Sequence, residues 1–285
     1  MRSEPGLHPL LVLLLAPLAG ALVTLSLSPF DLWALGILSC AIYAWLLSTC
    51  SPGQGLWRGF LYGLGLFGSG VSWIYVSIHV HGNASAPLAA ALTAFFCAGM
   101  ALYHALFGWY YTAFVRHLPG GMLVGFPALW VLIEWLRGWF LTGFPWLYLG
   151  YAHVETSISG WGPITGVFGL SFICALSGTC LFLAWRSRKL IACITYAVIL
   201  VTLWGGGDIL KSTQWVARAS EHPLDVAIVQ PNVPQEHKWD PAWYPRILRQ
   251  LEDTTEPLMG HDIVIWPETA VPNYFQRAQD FLEPI

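Results

Sequence analysis

The chain has 285 residues, of which 56% are hydrophobic and only 10% charged, with 13 Lys+Arg against 16 Asp+Glu and a formal net charge of −3. That is too few charges to cover a water-soluble globule of this length, and a mean hydropathy of +0.58 places most of the chain in lipid. The charge is uneven: residues 1–207 hold 7 Lys+Arg against 4 Asp+Glu, and residues 208–285 hold 6 against 12.

Along the chain, apolar stretches recur at near the roughly 20 residues that a helix needs to cross a bilayer. Seven spans are predicted: Leu7–Leu27, Leu32–Leu47, Leu56–Ile78, Pro87–Val115, Met122–Phe140, Thr165–Trp185 and Leu190–Trp204. The first is long for a signal-peptide core and is followed directly by further spans, so it is expected to be retained. Breaks fall at Ser28-Pro29, Ser51-Pro52-Gly53, Ala86-Pro87, Pro119-Gly120 and the Arg186–Lys189 cluster. With the amino terminus inside, Arg2, Arg58, Arg116, Arg186, Arg188 and Lys189 all fall on the cytoplasmic side, and only Arg137 lies outside. Basic residues collect on cytoplasmic loops, so this bias sets the orientation, and seven crossings deliver residues 208–285 to the far side.

The charge shift predicts a boundary between Trp204 and Asp208, through Gly205-Gly206-Gly207: a transmembrane bundle over 1–207 and an aqueous segment over 208–285. In that segment Leu224–Val229 reads as a strand, and Asp240-Pro241 as an N-cap followed by proline at the first helical position. Tyr244, Ile247, Leu248 and Leu251 then recur at helical spacing, and Ile263–Trp266 is a short apolar run expected of a strand buried on both faces. Strand, helix and strand make one βαβ unit of an α/β domain, and one such unit is too small to bury a core by itself.

Six cysteines, Cys40, Cys50, Cys97, Cys174, Cys180 and Cys193, lie in or beside apolar stretches with no CxxC, so neither a disulfide framework nor a zinc site is expected. His79 and His81 form a close pair, read as interfacial rather than metal-binding.

Glu268 follows the second strand directly, held between Pro267 and Pro272, at the strand exit where α/β folds place catalytic groups. Burial there would raise its pKa and suit it to act as a general base; the plainer reading, favoured by position alone, is a solvated loop glutamate. Glu134 and Arg137, three apart at the end of the fifth span, read as a structural ion pair anchoring the helix at the interface. Thr142-Gly143-Phe144-Pro145-Trp146 opens a stretch rich in Gly, Pro, Trp and Tyr, read either as an interfacial aromatic belt or as a site where lipid enters.

Four motifs occur in order along nearly the whole chain: Ser72-Trp73-Ile74-Tyr75-Val76-Ser77-Ile78; Glu134-Trp135-Leu136-Arg137-Gly138 running into Thr142–Trp146; Val229–Gln235 with Lys238-Trp239-Asp240; and Trp266-Pro267-Glu268. Together they resemble the successive signatures of the apolipoprotein N-acyltransferase family. The resemblance implies a polytopic α-helical membrane bundle followed by an incomplete nitrilase-like (carbon-nitrogen hydrolase, α-β-β-α sandwich) domain on the periplasmic side of the bacterial inner membrane. It implies transfer of an acyl chain from a membrane phospholipid to the amino group of a diacylglyceryl-cysteine lipoprotein, through a cysteine thioester and a Glu-Lys-Cys triad. Glu268 matches the family's general base, Trp239 a tryptophan near the substrate entrance, and Trp146 lies in the motif facing that site. No metal, cofactor or nucleic acid is implied. The family's lysine and cysteine fall beyond the position of Ile285, so a chain of this extent is expected to be a fragment or to work with a separate carboxy-terminal half. The rival readings are a membrane-anchored nitrilase-type amidase, which would need one span rather than seven, and a transporter-like or non-catalytic scaffold, for which the polar residues would cluster near the bilayer midplane.

Overall fold

The computed structural model describes residues 8–219 and 222–283, so Arg2 and Leu7, used in reading the charge bias and the first span, lie outside the described residues. The chain divides into two compact units, one up to Trp215 and one from Val216 onward.

Among the described residues the first unit is built of helices and the loops that join them. Its elements are α1 (Pro9–Ser26), α2 (Ala34–Leu47), α3 (Pro52–Gly70), α4 (Ile74–Val76) continued by a π-helical turn over Ser77–His81, α5 (Ala86–Ala113), α6 (Phe126–Trp139), α7 (Gly162–Ser187) and α8 (Leu190–Lys211). In hydrocarbon every backbone polar group must be satisfied within its own segment, so the apolar stretches become helices. Proline or a cap fixes several starts: Ser51 makes a reciprocal capping box with Gln54 at α3, and Pro87 sits in the first turn of α5.

Among the described residues five helices are long and apolar enough to cross a membrane, and the third expected span makes a sixth only if a bent pair, Pro52–Gly70 with Ile74–His81, is taken as one. That span is not the straight helix expected over Leu56–Ile78. It turns by 59° after Gly68-Ser69-Gly70, where small residues supply little to hold a helix straight. The second, α2, has 14 residues, about 21 Å at the helical rise, short of a hydrocarbon core of about 30 Å.

The bundle closes on small residues rather than on interdigitated large ones. A Cβ on Gly59 would run into the His104 carbonyl, one on Gly63 would lie 2.7 Å from the Ala101 Cα, and one on Gly108 would strike the Gly55 carbonyl, so α3 and α5 meet backbone to backbone. In lipid, where apolar burial drives little, such close approach is how helices gain dispersion and weak polar contacts. Around this seam Tyr43 and Tyr62 stack at 4.0 Å, Ser39 and Tyr62 exchange a 2.6 Å hydrogen bond, and the Tyr43 hydroxyl donates to the His104 carbonyl at 3.0 Å. Arg58 and Arg116 donate to carbonyls at the end of α2 and just after it, satisfying groups a helix terminus leaves open.

Gly205-Gly206-Gly207 is not a break between elements. Helix α8 runs through it to Lys211, because the bare glycine surface receives the turn over Ser157–Trp161: a Cβ on Gly207 would meet the Ser157 carbonyl at 2.6 Å, and the Trp161 indole donates to Leu203 O at 2.8 Å.

The second unit carries β1 (Val226–Ile228), α9 (Gln235–Lys238), α10 (Tyr244–Thr255), β2 (Ile263–Ile265) and α11 (Phe275–Leu282). The two strands pair in parallel, Val226 opposite Ile263, Ala227 opposite Val264 and Ile228 opposite Ile265, with α10 in the connection. Ala227, Val229, Ile247, Leu251 and Ala278 are buried. Two expectations are corrected. Helix α10 begins at Tyr244, with Pro245 in its first turn, because Asp240 instead closes a turn, its carboxylate accepting from Ala242 N at 2.9 Å and its carbonyl from Trp243 N. And β2 is not buried on both faces: Ile263 and Ile265 are exposed together with Val226 and Ile228, because these four share the sheet face that no described element of the unit covers.

Candidate functional site

Each unit carries a cluster of polar and aromatic side chains built on irregular chain. In the second unit it grows from the exits of the two strands. After β2 the chain makes a turn in which Ala270 N donates to Pro267 O at 3.2 Å and Thr269 is left-handed, with φ of 55°. Pro267 and Pro272 stiffen this turn from both ends, and the Trp266 indole ties its start to α10 through a 3.0 Å hydrogen bond to the Thr255 hydroxyl. After β1 the Gln230–Val233 segment also turns through a left-handed residue, Asn232, and Gln250 of α10 holds it by donating to Pro231 O at 2.6 Å.

Between these segments lies a cleft of about 210 Å³, lined by Gln230, Asn232, Lys238, Ile247, Pro267 and Glu268 among others. The Lys238 ammonium donates to the Glu268 carbonyl at 3.4 Å. A neighbouring cleft of about 250 Å³ shares Lys238 and adds Trp239, Asp240, Tyr244 and Arg277. Glu268 and Trp239 are thus placed on the two sides of Lys238, with the Trp239 indole 63% exposed. Glu268 is exposed, as the reading from position alone has it, because the turn projects it from a sheet of two short strands. Lys238 was missed as a site residue; the only signal was its position beside Trp239 in the shared motif. Chemically, a carboxylate lining an open cleft can take a proton from a group delivered there, and an ammonium beside it can offset a developing negative charge.

In the first unit the cluster is built by α6 and the irregular chain that follows it. Leu141, Thr142, Gly143 and Leu147 are all left-handed, which frees carbonyls and amides that a helix would have satisfied. Glu134 and Arg137 are both buried and both serve this segment. The Arg137 guanidinium donates to the carbonyls of Phe144, Trp146 and Leu147, and lies 5.3 Å and 4.9 Å from the ring centroids of Phe67 and Tyr148. One oxygen of Glu134 accepts from the Trp130 indole at 2.9 Å and from Leu149 N at 2.8 Å; the other has no hydrogen-bond partner. The expected Glu134–Arg137 pair makes no direct side-chain contact, since the unsatisfied backbone of the loop draws each side chain to its own partners. Trp146 stays half exposed, stacked on Phe144 at 5.0 Å and 6.2 Å from Trp73 at the bend after α3.

At the far end of the same loop His153 is fully buried between Trp33 and Trp204, and burial lowers its pKa to about 4. His79 Nδ1 lies 2.8 Å from Ala84 O, and among the described residues no group of three His, Cys, Asp or Glu is placed to hold a metal ion. All six cysteines are free and lie in the first unit.

A bundle of several apolar, span-length helices joined to a small α/β unit defines a polytopic membrane protein. The family model described as apolipoprotein N-acyltransferase N-terminal domain matches residues 19–180. The apolipoprotein N-acyltransferase of Pseudomonas paraeruginosa is 43% identical over 272 residues, covering 94% of this chain and 53% of the relative. That of Azotobacter vinelandii is also 43% identical, with 94% and 53% covered, and that of Coxiella burnetii is 38% identical, with 95% and 56% covered. The chain belongs to the apolipoprotein N-acyltransferase family, and is a multi-pass bacterial membrane protein. It spans about half the length of the curated relatives it matches.

Proposed function

We propose that this chain is the amino-terminal part of an enzyme that transfers a fatty acyl chain from a membrane phospholipid to the α-amino group of the diacylglyceryl-cysteine at the start of a bacterial lipoprotein. The observation that carries the reading is the placement of Glu268 in a proline-stiffened turn at the exit of a parallel strand, lining a cleft with Lys238 and beside Trp239. In this reaction a cysteine thiol gives its proton to Glu268, and the thiolate attacks the phospholipid ester. The ester C–O bond breaks, a lysophospholipid leaves with a proton, and a thioester remains. The amine of the second substrate then attacks the thioester, forming the amide, losing its proton to the base and returning the thiol. None of the cysteines here lies in the unit that carries Glu268, and the family resemblance implies that the nucleophile and the catalytic lysine lie beyond the position of Ile285.

Residues 208–285 are read as the start of the nitrilase-like domain, on the periplasmic side of the inner membrane. The basic residues support this, since Arg58, Arg116, Arg186, Arg188 and Lys189 share one side if α2 and the bent third segment both cross and the spans number seven. Trp239 in the second unit and Trp146 in the first are each read as contacts for a lipid substrate.

The test is complementation of an acyltransferase-depleted bacterium by this 285-residue chain, alone and with a separately expressed carboxy-terminal half, reading lipoprotein N-acylation by mass spectrometry. Acylation only when both halves are present is expected. Acylation by the chain alone would overturn the missing-nucleophile argument, and none in either case would overturn the two-half reading. In the complemented pair, Glu268→Gln is expected to lower acyl-enzyme formation by about 100-fold or more; an unchanged rate removes Glu268 from the role of base.

A further inference from the structure

The geometry points to Arg137 as a positioning residue, which sets the Trp146 indole for contact with a substrate acyl chain by gripping the backbone of the Phe144–Leu147 loop. This rests on the reading of Trp146 as a substrate contact. Arg137 spends its donors on three carbonyls of one short segment, Phe144, Trp146 and Leu147, and its own carbonyl accepts from Phe144 N at 2.7 Å. A planar guanidinium can reach several acceptors at once, which a lysine ammonium cannot match. The fork is itself fixed between the rings of Phe67 on α3 and Tyr148, so the loop is referred to the body of the bundle through one side chain.

A bare anchoring role would not require this arrangement. An arginine that only tied down the end of α6 could pair with Glu134 one turn earlier, yet Glu134 bonds Leu149 N instead, so the two charges hold the loop at successive points. What they hold in place is an exposed aromatic face. Trp146 is 50% exposed and stacks on Phe144, which in turn meets Phe96 of α5 at 5.1 Å, and Trp73 lies alongside. The Phe144–Leu147 segment includes a left-handed residue, Leu147, and has no secondary structure of its own to keep the indole at a fixed angle. With Arg137 removed, three carbonyls in apolar surroundings lose their donor, the segment rearranges, and the indole leaves its stacked position.

The experiment is a double-mutant cycle on the 285-residue chain in detergent micelles, measuring by fluorescence anisotropy the affinity for a labelled dipalmitoylglyceryl-cysteine peptide. Trp146→Ala is expected to weaken binding about tenfold, as for a central aromatic anchor. Arg137→Gln, and the milder Arg137→Lys in case the first fails to fold, are expected to weaken it by a similar factor. Each double variant should bind no more weakly than Trp146→Ala alone, because residues acting through one contact are not additive. Losses that multiply in the double variants, or an Arg137→Lys chain that binds as the parent does, overturn the positioning role and leave Trp146 as a contact. No loss from Trp146→Ala overturns both.

Discussion

Replacing Gly63 by alanine tests the claim that α3 and α5 are held by backbone approach. An added Cβ would lie 2.7 Å from the Ala101 Cα, 2.9 Å from its carbonyl oxygen and 3.0 Å from its Cβ. Carbon atoms rest at about 3.5 Å or more, so the helices must part by about 0.8 Å at this point. The opposing atoms are backbone and a methyl stub, with no flexible side chain to swing aside. A gap of that size forfeits about a quarter to a half of each dispersion contact along the seam. It also stretches the 3.0 Å bond from Tyr43 to His104 O, made where α5 passes the same region. The expected cost is about 1–3 kcal/mol. The assay is unfolding in mixed micelles of rising denaturing-detergent fraction, with Gly99→Ala as the control, since a Cβ there meets nothing within 4 Å. If Gly63→Ala unfolds within about 0.5 kcal/mol of that control, the close-approach account of this seam is wrong.

Two further outcomes follow from the buried polar groups. Glu134→Gln keeps a carbonyl acceptor for Trp130 and Leu149 N and should change stability by less than about 1 kcal/mol, whereas Glu134→Ala strands both donors and should cost about 2–4 kcal/mol; equal effects in the same detergent titration would refute the acceptor role. His153 is held neutral by burial, with its pKa lowered to about 4 from 6.5. Between those values the unfolded chain binds the extra proton, so stability is full above about pH 6.5 and is lost as pH falls toward 4, by on the order of 3 kcal/mol in all. His153→Phe should flatten that slope in melting curves taken across the window, and an unchanged slope would assign it to other groups.

Much of the bundle was legible in the sequence because lipid imposes a local rule: an apolar stretch must satisfy its own backbone, so composition alone marks a helix, and proline, glycine and charge mark where it stops. α1, α2, α5, α6 and α7 lie close to the stretches that predict them. The order of motifs likewise revealed the family, and the turn at Trp266-Pro267-Glu268 was placed correctly at a strand exit, since two prolines act locally whatever surrounds them. What the sequence could not give depends on which chain stands opposite. The spacing of Glu134 and Arg137 suggested that they pair with each other, but the loop after α6 folds back over both and claims them. The charge shift put a boundary through Gly205-Gly206-Gly207, yet against the Ser157–Trp161 turn the missing side chains of these glycines are what let α8 continue. The bend of the third segment, the bare seam along Gly59 and Gly63, and the meeting of Lys238 with Glu268 were likewise decided only by packing, because a close approach or a hydrogen bond across distant segments has no signature in either segment alone.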